Sequence, residues 1–137
     1  MVSKLQVHKR GTTSLVTFLE DNDFLVEQIT EAVIKATRFN ELPVFINIKN
    51  DSLYFEVDLG STAGVASAEL YERLLDINTE ILPVSVGINS AAPNDPRMVL
   101  VESREAQNLD ENEIMSVFNA LELATDKIEK ILADFVG

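Results

Sequence analysis

The chain has 137 residues, 46 % of them hydrophobic, enough to bury one core without disulfides or a structural metal. Its 11 Lys and Arg against 23 Asp and Glu leave a net charge of −12, which repels phosphate backbones and anionic lipid and sets nucleic-acid binding aside. Cysteine is absent, and no run approaches the roughly 18 apolar residues of a membrane span, so thiolate chemistry, disulfide frameworks and membrane insertion are excluded.

In chain order, Lys4, Lys9 and Arg10 give the first ten residues three bases and no acid, a basic arm ahead of an acidic body. Residues 1–10 are expected to fray as many termini do. No apolar stretch of a secretory signal comes after these charges, and together with the lack of cysteine this predicts a cytoplasmic protein. Leu15 to Leu19 reads as a strand or a short turn of helix. Over residues 21–38 two readings stay open. Asp21 or Asn22 can cap a helix carrying Leu25, Ile29, Val33 and Ala36, or Val33 to Arg38 can be a strand feeding a hairpin that begins near Val44; the local pattern favours the helix.

In that hairpin Val44, Ile46 and Ile48 alternate with polar or aromatic neighbours, as do Leu53, Phe55 and Val57, with Asn50-Asp51 between the two runs. A two-residue loop pairs Lys49 with Ser52 and thereby Ile48 with Leu53 and Ile46 with Phe55, putting every aliphatic residue on one face. Residues 60–66 form a connector, and Ser67 caps a helix predicted over 67–78 with Leu70, Tyr71, Leu74, Leu75 and Ile77 at helical spacing. A second strand pair carries Val84, Val86 and Ile88, then Met98, Leu100 and Glu102, separated by a loop that holds Pro93 and Pro96. Asp110 and Glu113 form a capping box that starts a helix with a stripe of Ile114, Val117, Phe118, Leu121, Ala124, Ile128, Ile131, Leu132 and Phe135, running to the end of the chain at Gly137. The sum is a single α+β domain over residues 1–137, a twisted antiparallel sheet of about five strands with helices packed on it and a long C-terminal helix.

No motif builds a reaction centre. Gly60-Ser61-Thr62-Ala63-Gly64 lacks the lysine and spacing of a phosphate loop, and Pro83 stands where a nucleophile elbow around Ser85 needs glycine. His8 is the only imidazole, too few for a triad or a histidine metal site. Glu20-Asp21-Asn22-Asp23 opens like a calcium loop, yet Val26 occupies the position that requires glycine. No catalytic, cofactor or metal residue is therefore assigned, although the number of carboxylates leaves a divalent-metal enzyme as an alternative. The expected binding surface is the polar face of the first hairpin, with Phe45, Tyr54, Glu56 and Asp58, where diagonal aromatics can anchor a partner.

The run Glu41-Leu42-Pro43-Val44-Phe45, the segment Leu53 to Leu59, Ile81-Leu82-Pro83-Val84-Ser85-Val86-Gly87-Ile88 and the helix beginning at Leu109-Asp110 resemble the bacterial YjfI-like family, within the type III secretion chaperone-like and YbjN-like fold group. The resemblance covers about residues 41–135. It implies a twisted antiparallel sheet crossed by a long helix, homodimerisation and binding of extended client segments. It further implies a short helix near 12–20 and a strand near 32–38, against the local reading. The YjfI-like group's association with envelope-stress proteins of the PspA type implies a client or a regulatory role there. The expected function is a non-enzymatic, acidic protein-binding module, chaperone-like or regulatory, that prefers basic segments of its partner; a structural subunit is the other alternative.

Overall fold

The computed structural model of the protein describes residues 5–8 and 12–136. The chain opens with strands β1 (Gln6–His8) and β2 (Thr12–Ser14), an antiparallel pair, and then helix α1 (Leu15–Asp21). Ser14 caps α1, its hydroxyl oxygen accepting from the Thr17 amide at 3.2 Å. Of the expected basic arm, residues 6–8 are strand and Val7 is buried; Lys4, Lys9 and Arg10 lie outside the described residues.

The helix favoured locally over 21–38 does not form. Its place is taken by β3 (Leu25–Gln28) and β4 (Val33–Thr37), paired antiparallel, as the family resemblance implied for the second of them. Asp23 adopts φ 70°, a left-handed conformation that ends any helix leaving α1. A helix would have had to bury Leu25 and Ile29, and both are exposed. Period two wins because Ile34 and Ala36 drop into the core opposite Ile46 and Val44 of the next strand, long-range pairs that a local reading of spacing does not weigh.

Strands β5 (Val44–Lys49) and β6 (Ser52–Ser61) form the hairpin in the predicted register, Lys49 opposite Ser52, Ile48 opposite Leu53 and Ile46 opposite Phe55. Asn50 and Asp51 both take positive φ, 51° and 63°, the two-residue turn whose twist matches that of the strands. After β6 come α2 (Ala68–Ile77), capped by Ser67, and the strands β7 (Ser85–Asn89) and β8 (Arg97–Glu105). β8 inserts beside β6, so the main sheet has six antiparallel strands in the order β3-β4-β5-β6-β8-β7. The additional strand beyond the expected five is β3.

Helix α3 (Glu111–Leu132) begins where the capping box predicted, with the Asp110 carboxylate accepting from the Glu113 amide at 2.7 Å. It ends at Leu132, short of the chain end, and Gly137 is outside the described residues. Its stripe lies on the aliphatic face of the sheet: Phe118 meets Phe55 edge-on at 6.0 Å and Phe24 at 4.5 Å. Removal of the cap by Asp110→Ala should lower stability by about 1 kcal/mol. Urea denaturation reads this directly, and an unchanged midpoint would show that water replaces the carboxylate without loss.

Candidate protein-binding surfaces

The strand alternation that sends Ile46 and Phe55 inward sends Phe45, Asn47, Tyr54, Glu56 and Asp58 to the opposite face. One row of register partners crosses all six strands on that face: Glu27, Lys35, Phe45, Glu56, Val101 and Ser85. Tyr54 stands in the next row between Asn47 and Ser103, diagonal to Phe45. Since α3 packs on the Phe55 side, this face stays open. Tyr54 is 44 % exposed and Val101 37 %, while Phe45 and Glu56 are half-buried by their neighbours in the sheet.

All four residues singled out from sequence lie on this face, Phe45, Tyr54 and Glu56 together and Asp58 two positions further along β6, where it pairs with Arg97. Arg97 Nη2 lies 3.1 Å from the Asp58 carboxylate while its Nη1 lies 3.1 Å from Asp95, and Ser61 donates to Asp95 at 2.6 Å. This cluster ties the β6 bulge at residues 58–60 to the β7–β8 loop. The Ser61 hydroxyl and then the Arg97 guanidinium hold the Asp95 carboxyl below its ordinary value. The Asp58–Arg97 pair spans 39 positions of sequence, a contact that no local pattern announces. Among the described residues no three carboxylates or imidazoles converge into a cation site.

The surface that sequence reasoning missed lies at the β7 edge, where Tyr71, Leu74, Leu75, Val86, Gly87 and Ile88 line an apolar groove of about 270 Å³. Leu70 and Leu74 of α2 are buried, but Tyr71 and Leu75 point outward, Leu75 at 70 % exposure, and Ile88 is also exposed. The signal was present in α2 itself. Five apolar residues among Leu70 to Ile77 span a wider arc than one core-facing stripe needs. The edge is partly closed to strand addition, because Asn78 Oδ1 accepts the Val86 amide at 2.7 Å and so occupies an outward-facing backbone donor. β3, at the other end of the sheet, is the remaining edge.

One carboxylate is buried in the core. Glu102 sits on the core face of β8 opposite Phe55, 6 % exposed, with Arg104 Nη2 at 2.7 Å. Neither of its oxygens has a well-directed hydrogen-bond donor. Burial raises its pKa, and Arg104 only partly opposes that.

The architecture is α+β, a six-stranded antiparallel sheet with helices packed on one face and an aromatic-bearing face turned the other way. The chain belongs to the CesT_Tir_1 family, which is type III secretion chaperone-like; the family model matches residues 8–137. Solved structures agree in fold. A chain of the heterodimeric ExoU–SpcU complex from the type III secretion system of Pseudomonas aeruginosa superposes with TM-score 0.67 at 16 % identity, over 85 % of this chain and 96 % of that one. YbjN from E. coli, described as a putative transcription regulator, gives TM-score 0.68 at 17 % identity, over 88 % of this chain and 90 % of the other. No curated protein matches the sequence. Among the described residues no helix is long and apolar enough to cross a membrane.

Proposed function

We propose that this protein is a non-enzymatic, chaperone-like module of the cytoplasm that holds a client polypeptide against its open sheet face, with Phe45, Tyr54 and Glu56 as contact residues. The observation that carries the reading is the row of register partners around Phe45 and Tyr54, left uncovered by every helix of a chain that belongs to a chaperone-like family. Aromatic side chains give an extended partner large contact area at small entropic cost, and Glu56 beside Phe45 favours a base in the client. The β3 edge lies at the end of the same face and offers backbone groups for strand capture, which the β7 edge offers less because of Asn78.

The natural test is co-purification from the native host with a stoichiometric protein identified by mass spectrometry, a PspA-type envelope-stress protein being one candidate. With that client in hand, Tyr54→Ala should weaken binding by roughly 30-fold, the effect of losing an anchor worth about 2 kcal/mol. Binding that is unaffected by Tyr54→Ala and by Phe45→Ser would remove the open face from the site.

We infer further that the working state is a homodimer built on the groove between α2 and β7. Tyr71, Leu75 and Ile88 form an exposed apolar strip beside a sheet edge, and two copies related by a two-fold axis would cover each other's strip. Repulsion between two chains of charge −12 opposes this association, so the dimer should strengthen with salt. Light scattering at micromolar concentration should report a dimer that Leu75→Asp converts to monomer; a monomeric native protein at high salt would end the proposal.

A further inference from the structure

A second groove lies at the far end of the helix–sheet sandwich, between the β4–β5 connection and the C-terminal half of α3. Leu42, Leu59, Leu132 and Val136 floor a space of about 390 Å³, with Leu42 and Val136 well exposed. Steps of three and four along α3 and the turn that follows it give Glu122, Asp126, Glu129, Ala133 and Val136 on this side. In the turn after α3, Asp134 and Phe135 are engaged by α2, since Arg73 reaches Asp134 at 2.8 Å and lies over the Phe135 ring.

The rim of the groove is acidic. Glu129 lines it, and Glu41, next to Leu42, lies close enough to Glu122, Asp126 and Glu129 that burial, then those carboxylates, raise its pKa against the opposing pull of Arg38. Arg38 is already engaged with Glu122 and the Phe24 ring. Among the described residues Glu41, Asp126 and Glu129 have no ion-pair partner. Three carboxylates beside exposed leucine and valine make a surface that loses repulsion and covers apolar area at once when a cationic, amphipathic partner arrives.

We propose that this groove docks a cationic amphipathic helix of the client, with its leucine-like residues on Leu42 and Val136 and its bases against Glu41, Asp126 and Glu129. A helix is favoured over an extended segment because neither edge strand of the sheet lines the groove, so an incoming backbone must satisfy its own amides and carbonyls. The inference rests on the client-binding reading and adds a second, chemically distinct contact to the one on the open face.

The test uses the full-length protein and a labelled, end-capped peptide built from repeats of Leu-Lys-Lys-Leu-Leu-Lys-Leu, with a counterpart carrying Glu in place of each Lys. Fluorescence anisotropy should show binding of the cationic peptide, weakening with salt, and none of the anionic one. The double variant Asp126→Asn/Glu129→Gln should weaken it by about tenfold. The control variant Asp51→Asn/Glu105→Gln, which neutralises two exposed carboxylates at the end of β6 away from Leu59, should leave it within about twofold, since charge beyond a Debye length is screened. Leu42→Ser should also weaken binding, which net charge alone would not cause.

Equal losses in the groove and control variants, or no loss in the groove variant, would overturn the proposal. So would a change of oligomeric state in the groove variant, because the occupant would then be a second copy. If the peptide binds nowhere in the groove while the client still depends on Tyr54, the groove fails and the open-face reading stands; loss of the client's Tyr54 dependence with peptide binding intact does the reverse.

Discussion

Phe118→Ala should destabilise the protein by about 3–5 kcal/mol, the range for removing a buried aromatic ring, and this is the largest effect expected of any single substitution at the helix–sheet contact. Phe118 is 1 % exposed and touches two different parts of the sheet, Phe55 on the central strand β6 and Phe24 at the entrance to the edge strand β3. The loss should therefore be unequal in space. Phe24 also supports Arg38, whose guanidinium lies 5.0 Å from its ring and pairs with Glu122 of α3, so without Phe118 the β3–β4 side loses one attachment to α3 and support for another, while β5, β6 and β8 keep their ladders. Hydrogen exchange should show faster opening of residues 25–37 than of residues 53–57 in the variant. A loss below about 1 kcal/mol, or uniform acceleration across the sheet, would mean that the cavity refills and that the edge is held by something else.

That difference between centre and edge also explains what could be read from the residues alone. The β5–β6 hairpin was legible because two constraints agree: a two-residue turn sets Lys49 against Ser52, and that register places Ile46, Ile48, Leu53 and Phe55 on one face. Helix α3 was legible because Asp110 and Glu113 mark its start and its stripe is long. β3 and β4 were not, since Leu25, Ile29, Val33 and Ala36 fall at helical spacing and nothing local records that Ile34 and Ala36 will find Ile46 and Val44. β3 is moreover an edge strand, with β4 as its one neighbour in the sheet. The resemblance to known chaperone-like proteins decided for β4 where the local pattern leaned to helix, and β3 was anticipated by neither.

The binding surface divides in the same manner. Phe45, Tyr54 and Glu56 share a face as a direct consequence of hairpin register, so their grouping came from pattern. The pairing of Asp58 with Arg97, and the engagement of Arg38 with Glu122, depend on how distant segments pack and leave no trace in spacing. The α2–β7 groove was half visible, since Tyr71 and Leu75 widen the apolar arc of α2, but the strand that completes the groove had to be placed first.

Replacing Glu102 by methionine should make the protein more stable at neutral pH, by about 1–3 kcal/mol, the usual cost of a buried polar group without well-placed partners. Alternation along β8 puts Met98, Leu100, Glu102 and Arg104 on the core face, and the first three are buried. Arg104 is the one charged group acting on the carboxylate, and its own side chain is 31 % exposed, so it can turn to water once Glu102 is gone. The pH dependence gives a second, independent reading. Burial raises the folded-state pKa of Glu102 above its unfolded value, so the unfolded chain releases this proton first as pH rises. The contribution of Glu102 is fully favourable below the unfolded value and is lost as pH climbs through the folded one. The native protein should therefore gain stability relative to Glu102→Met on acidification from neutral pH toward the ordinary carboxylate range, and the two stability curves should converge there. Other acids titrate in both proteins and cancel in the difference. Curves that stay parallel from neutral to acidic pH would show that Glu102 keeps its charge in the core, held by Arg104 against the pull of desolvation, and the buried pair would then be an anchor of β8 instead of a weakness in it.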